Sequence, residues 1–188
     1  GRTYWKWNGG LISGADINVS IDEWISSLND NGTRLSLGAS WVNKYEKDEV
    51  ILYPDNFNYR YNLPNFVNAW DVRANLSKGP WGVLVEYAQK TQDPSYDSDY
   101  SYAKGHVAML SGSYSKKGLS ILLQGKRSEN MSFRSKRSGM GTSAHINHLP
   151  AFTLDHTYAL AALYPYATQL ASGEWAYQAE VGYNFKRK

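Results

Sequence analysis

Cysteine is absent from the 188 residues, so neither a disulfide nor a thiolate metal site holds this chain together. That absence neither requires nor excludes an oxidising compartment. Long apolar runs are missing too. A membrane-crossing helix needs about 18 to 20 consecutive apolar residues, and the most apolar windows, such as Tyr158 to Tyr164, are far shorter. The mean hydropathy of -0.54 points the same way: if this chain meets a membrane, it does so with strands. Charge of one sign is scarce. Twenty basic against seventeen acidic side chains leave +3, a small excess for a protein that reads nucleic acid with a concentrated basic face, so no nucleic-acid partner is expected. Gly1-Arg2-Thr3-Tyr4-Trp5 carries no signal-peptide pattern, and the chain opens as if in the middle of a structure. No Gly-rich phosphate loop, no nucleophile elbow and no recognisable triad occur. The expectation is therefore a protein that is not an enzyme and holds no cofactor.

What is present is aromatic and alternating. Fifteen Tyr and seven Trp are amphipathic rings suited to membrane interfaces and to binding surfaces. Strict period-two alternation marks strands whose two faces meet different surroundings. From Trp175 to Phe185 the odd positions are Trp175, Tyr177, Ala179, Val181, Tyr183 and Phe185, against Ala176, Gln178, Glu180, Gly182 and Asn184. Ile17, Val19 and Ile21 oppose Asp16, Asn18, Ser20 and Asp22. Leu35, Leu37, Ala39 and Trp41 oppose Ser36, Gly38 and Ser40, and Trp70, Val72, Ala74 and Leu76 oppose Asp71, Arg73 and Asn75. Trp81 to Gln89, His106 to Tyr114 and Leu119 to Arg127 alternate less cleanly. Thr157 to Tyr164 suits a strand or two helical turns, and its shortness before Pro165 favours the strand.

Connections differ sharply in length. Asn31-Gly32, Lys78-Gly79-Pro80 and Lys116-Lys117-Gly118 read as hairpin turns, whereas roughly Lys44 to Phe66, Thr91 to Lys104 and Ser128 to His156 are long and polar. Outer-membrane barrels place short turns on one side of the bilayer and long loops on the other, with strands of about ten tilted residues. The expected fold is all-β: a transmembrane antiparallel up-and-down β-barrel, with about eight strands in this chain, residues 1–188 forming one barrel domain or part of one. Phe185 is followed by Lys186-Arg187-Lys188 rather than closing the chain, and a segment of a larger barrel is expected. A soluble sandwich or lipocalin-like barrel shares the alternation but buries its apolar face inward.

Three segments carry a family resemblance: Lys117-Gly118-Leu119-Ser120-Ile121; Lys126-Arg127-Ser128-Glu129-Asn130-Met131-Ser132-Phe133-Arg134-Ser135; and Asp155 to Leu160 with Tyr164 to Gln169. The chain resembles a family of Bacteroidota outer-membrane β-barrel proteins of unknown function. The resemblance covers most of the chain and is strongest after Lys116. It implies an outer-membrane location, a barrel longer than this chain with further strands at one or both ends, and no catalytic residues.

Several constellations are candidates for function. Asp16, Asn18, Arg73, Glu86, Lys126, Gln178 and Glu180 occupy polar rows that would line a lumen and set its selectivity, or form the salt-bridged filling of a narrow barrel. Arg127, Arg134, Lys136 and Arg137 are the densest basic cluster, able to pair with lipopolysaccharide phosphates or an anionic solute; a solvated or lumen-facing loop is the plainer reading. His145, His148 and His156 lack the carboxylate or cysteine that would complete a metal set. Asp93, Asp97 and Asp99 lack the glycine and closing glutamate of a calcium loop. The functional expectation is a bacterial outer-membrane passive pore, or a structural subunit of an outer-membrane complex, whose partners are lipid, lipopolysaccharide and other outer-membrane proteins. The alternative is a soluble carbohydrate-binding β-domain. In the first, Trp41, Trp70, Trp81, Trp175 and Tyr183 face lipid in two girdles; in the second they gather in one groove.

Overall fold

The structure, a computed structural model, describes residues 10–47, 50–53, 55–137, 146 and 173–185. Its alternating segments form β1 (Leu11–Ser20), β2 (Thr33–Tyr45), β5 (Phe66–Lys78), β6 (Trp81–Lys90), β7 (Gly105–Lys116), β8 (Leu119–Glu129) and β9 (Glu174–Tyr183), with a small hairpin of β3 (Leu52–Tyr53) and β4 (Asn56–Arg60) between β2 and β5. The seven long strands make one antiparallel sheet in the order β1-β2-β5-β6-β7-β8-β9. Among the described residues, every neighbour in that sheet is also the next long strand in the chain, so their topology is up-and-down. The eighth expected strand, Thr157 to Tyr164, lies outside the described residues.

Most strands extend beyond their cleanly alternating part, because ladder pairing continues wherever the partner strand does; β1 and β9 instead stop short of it, with Ile21 and Asp22 in a 3-10 turn and β9 ending at Tyr183 rather than Phe185. The register places the alternation of every strand in phase. One row across the sheet runs Ile17, Ala39, Val72, Tyr87, Ala108, Arg127 and Trp175; the next runs Asn18, Gly38, Arg73, Glu86, Met109, Lys126 and Ala176. A slip of one residue at any pairing would mix the two faces.

Two connections are the tight turns expected. Gly79 (φ 55) and Pro80 join β5 to β6, and Lys117 (φ 46) and Gly118 (φ 87) join β7 to β8. At Lys117-Gly118, positive φ at both central residues suits the right-handed twist of a hairpin. Asn31-Gly32 is not a two-residue hairpin turn. Residues 21–32 instead hold a 3-10 turn (Ile21–Glu23) and a one-turn helix α1 (Ser26–Asp30). Asn31 has φ -84 and its side-chain amide donates to the Ser27 carbonyl, while Gly32 has φ 64. The same dipeptide chemistry stops a helix as readily as it turns a hairpin.

Three longer connections leave the opposite end of the sheet from the two tight turns, whereas residues 21–32 join β1 to β2 at the tight-turn end. Residues 46–65 carry the β3–β4 hairpin, residues 91–104 a 3-10 turn at Tyr96–Ser98, and residues 130–173 link β8 to β9. Tyr61 stacks between Tyr53 and Tyr100, ring centroids 4.0 and 4.5 Å away. Desolvation in that stack, then Tyr53 and Asp99, raises the pKa of the Tyr61 phenol. The Tyr102 hydroxyl both accepts from the Asn62 amide and donates to its carbonyl, which ties the first two loops together.

Candidate functional site: the polar face of the sheet

The two faces of the sheet invert the usual distribution. Ile17 (61% exposed), Leu110 (55%), Leu123 (56%) and Val181 (68%) stand on one face, with Leu37, Val72 and Val85 also exposed there. Among the described residues, the largest fully buried side chains are Arg134, Arg137, Lys44, Lys90 and Lys126. The apolar face is also zoned. Trp41 and Trp70 are direct cross-strand partners, with Tyr45, Phe66, Tyr87 and Trp175 near them toward the long-loop end; Trp81, Tyr114 and Tyr183 stand at the tight-turn end. Aliphatic residues fill the band between, for example Val83 and Val85 on β6 and Ala179 and Val181 on β9. The rings thus sit in two bands of one face, not in one groove.

All seven residues expected on the polar rows, Asp16, Asn18, Arg73, Glu86, Lys126, Gln178 and Glu180, share the opposite face. Arg73 is the hub of its tight-turn half. Its guanidinium donates to the Asp16 carboxylate, to Asn18 Oδ1 (3.1 Å from Nε), to Ser40 Oγ (2.7 Å) and to Asp71 Oδ1 (3.0 Å). Glu86 is its direct cross-strand neighbour on β6. Gln124 donates to Ser111 Oγ at 3.2 Å, and Gln178 faces Gln124 across the β8–β9 pairing. Glu180 stands opposite Leu122 nearer the tight turns, and Lys126 reaches the other way to Glu174 at 3.1 Å.

The long-loop half of this face is buried and charged. Lys44 Nζ is fully buried, 2.8 Å from Asp93 Oδ2 and 3.9 Å from Glu46. Arg137 Nε lies 3.8 Å from the other Asp93 oxygen, and its backbone N–H donates to the Glu46 carboxylate. Burying such charges is tolerable only in pairs with their hydrogen bonds met. Met131 packs with Ala88 and Val107, beside Phe133 under the Lys44 ammonium, 5.5 Å from ring centre.

The fold divides the basic cluster. Arg134 and Arg137 turn inward, 2% and 1% exposed, while Lys136 between them is exposed. Arg127 belongs to β8 and to the apolar face, where its guanidinium sits over the Trp175 ring and pairs with Glu129. Asp93 turns inward onto Lys44, and Asp99 is the residue that ends the 3-10 turn at Tyr96–Ser98. His145, His148 and His156 lie outside the described residues. Sequence reasoning missed Lys44, Lys90 and Glu46. The first two fall on the polar phase of β2 and β6, so extending the alternation by three residues past Trp41 and by one past Gln89 would have found them.

The model of a family of unknown function (DUF6029) matches residues 1–188. No curated protein and no solved structure matches the chain.

Proposed function

The chain belongs to the DUF6029 family, and we propose that it forms a stretch of a transmembrane β-barrel in a bacterial outer membrane, of the Bacteroidota type its sequence resembles, acting as a passive pore. The observation that carries this reading is the inversion of the faces: a continuous exposed aliphatic band between aromatic zones, backed by a face where the charges are. A soluble monomer rarely exposes an apolar patch beyond a few hundred Å². Lipid is the surrounding that makes this face favourable, and a polar row turned to hydrocarbon would cost several kcal/mol per unpaired group. Ten residues at about 3.4 Å each, tilted by about 45°, cover roughly 24 Å, the height of such an apolar band.

Closure adds a constraint. β1 and β9 both run from the long-loop end to the tight-turn end, so joining them directly would make a parallel pair. An all-antiparallel barrel therefore takes an odd number of further strands from outside the described residues. The polar face then lines the lumen, and Arg73 and Lys126 against Asp16, Glu86 and Glu180 make a mixed-sign wall of weak ion selectivity. The structural-subunit reading shares this architecture and differs only in conductance.

Tryptophan fluorescence of the full-length protein mixed with vesicles of brominated phospholipid tests the reading. Strong quenching by the bromines with little quenching by aqueous acrylamide is expected; the reverse would leave a soluble, ring-binding domain.

A further inference from the structure

On the barrel reading, and resting on it, we infer that the segment Asn130 to Arg137 is a constriction folded into the lumen, which sets the bore of the pathway at its long-loop end. Loops that emerge from a sheet normally run over the surface with exposed side chains. This one does the opposite: Asn130, Met131, Ser132, Phe133, Arg134 and Arg137 are all buried, none above 6% exposed.

The segment lies on the polar face and is held there from several sides. Lys90 on β6 donates to the Ser132 carbonyl at 2.6 Å. Glu46, just past β2, accepts from the Arg137 backbone at 3.0 and 3.1 Å. Arg137 Nη2 donates to the Pro64 carbonyl at 2.6 Å, just before β5, and Asn130 Nδ2 to the Ala103 carbonyl at 2.8 Å, just before β7. Met131 packs against Ala88 of β6 and Val107 of β7, while Lys44 of β2 covers the Phe133 ring. These anchors come from four neighbouring strands or their ends. In a closed barrel the face they belong to surrounds the lumen, so a segment spanning them lies inside it. Lys136 is the exposed side chain of the segment and faces what bore is left.

Planar-bilayer recording of the full-length protein tests this with two variants. K90M/F133S removes the Lys90 ammonium that holds the Ser132 carbonyl and the Phe133 ring under Lys44; K136C changes only an exposed position in a chain without other cysteines. The release variant is expected to conduct about twofold or more above the wild type, as a widened constriction should. Cationic and anionic thiosulfonates on K136C should shift the reversal potential in opposite directions. A silent wild type beside a conducting release variant also supports the inference, with the segment as a full plug. Channels that insert but respond to neither change overturn the constriction and leave the barrel standing. So does silence from all forms that have inserted. Failure of the wild type to enter bilayers at all removes the barrel reading and the constriction together.

Discussion

Arg73 on β5 reaches across the full width of β2 to Asp16 on β1, and it does so over Gly38. Gly38 is the register partner of both Asn18 and Arg73. A Cβ there would stand 2.5 Å from Arg73 Nε and 2.4 Å from Asn18 Oδ1. The missing side chain is what lets a guanidinium on one strand serve a carboxylate two strands away. Gly38→Ala should displace Arg73 from Asp16 and Asn18, lowering the urea midpoint slightly, because the displaced atoms belong to flexible side chains. Asp16→Asn removes the same pair. In a double-mutant cycle the two changes should be non-additive, the combined variant being little worse than the worse single one.

The buried pair at the other end of the same face should behave differently. Lys44 and Asp93 are 0% and 3% exposed at 2.8 Å, and removing one partner from a buried pair costs roughly 3 to 5 kcal/mol. Asp93→Ala is expected to lower stability on that scale and to expose residues 130–137 to limited proteolysis. Lys44→Met combined with Asp93→Leu should recover much of the loss. Equal damage from the single and the double variant would mean that the ion pair is not what Asp93 contributes.

How much of this was legible beforehand depended on repetition. Period-two alternation at Trp175 to Phe185 or Leu35 to Trp41 repeats a local rule, so seven strands and the common face of Asp16, Arg73, Glu86 and Glu180 could be read directly. Features set by one long-range contact could not. The Asn31-Gly32 pair satisfies a hairpin and a helix stop alike, and the longer connection is tied to β2 by Asp22 accepting from the Leu35 amide. The inward turn of Arg137 depends on Glu46 and Pro64, and Lys90 holds the Ser132 carbonyl beside it, all distant in sequence; a run of basic residues reads as a solvated or a lumen-facing loop alike until those partners are placed.

The β7–β8 turn offers a local test. Gly118 has φ 87, and a Cβ would stand 3.1 Å from the Asn184 carbonyl oxygen. Gly118→Ala should destabilise by about 1 kcal/mol, since a side chain is strained at that φ. Lys117→Asn, also at positive φ, should be neutral or slightly stabilising, because Asn-Gly is the favoured pair of such turns. Urea midpoints of the two variants against the wild type report both.

On β9 the faces can be separated by charge. Ala179 and Val181 stand on the apolar face and Gln178 on the polar one. A cation at the bilayer midplane costs roughly 2 to 4 kcal/mol and one in a wet lumen costs little. Ala179→Arg or Val181→Arg should lower the yield of folded protein in lipid vesicles, and Gln178→Arg should leave it near that of the wild type. Equal yields for all three would contradict the assignment of faces.

The central claim is that the apolar face meets lipid while the polar face meets water. Single cysteines at each position from Trp175 to Tyr183, spin-labelled in the full-length protein in vesicles, test it most directly, because the chain has no cysteine of its own. Accessibility to oxygen, which concentrates in lipid, is expected to peak at 175, 177, 179, 181 and 183, and accessibility to a water-soluble nickel chelate at 176, 178, 180 and 182. An opposite phase, or nickel accessibility on both faces, would contradict the account.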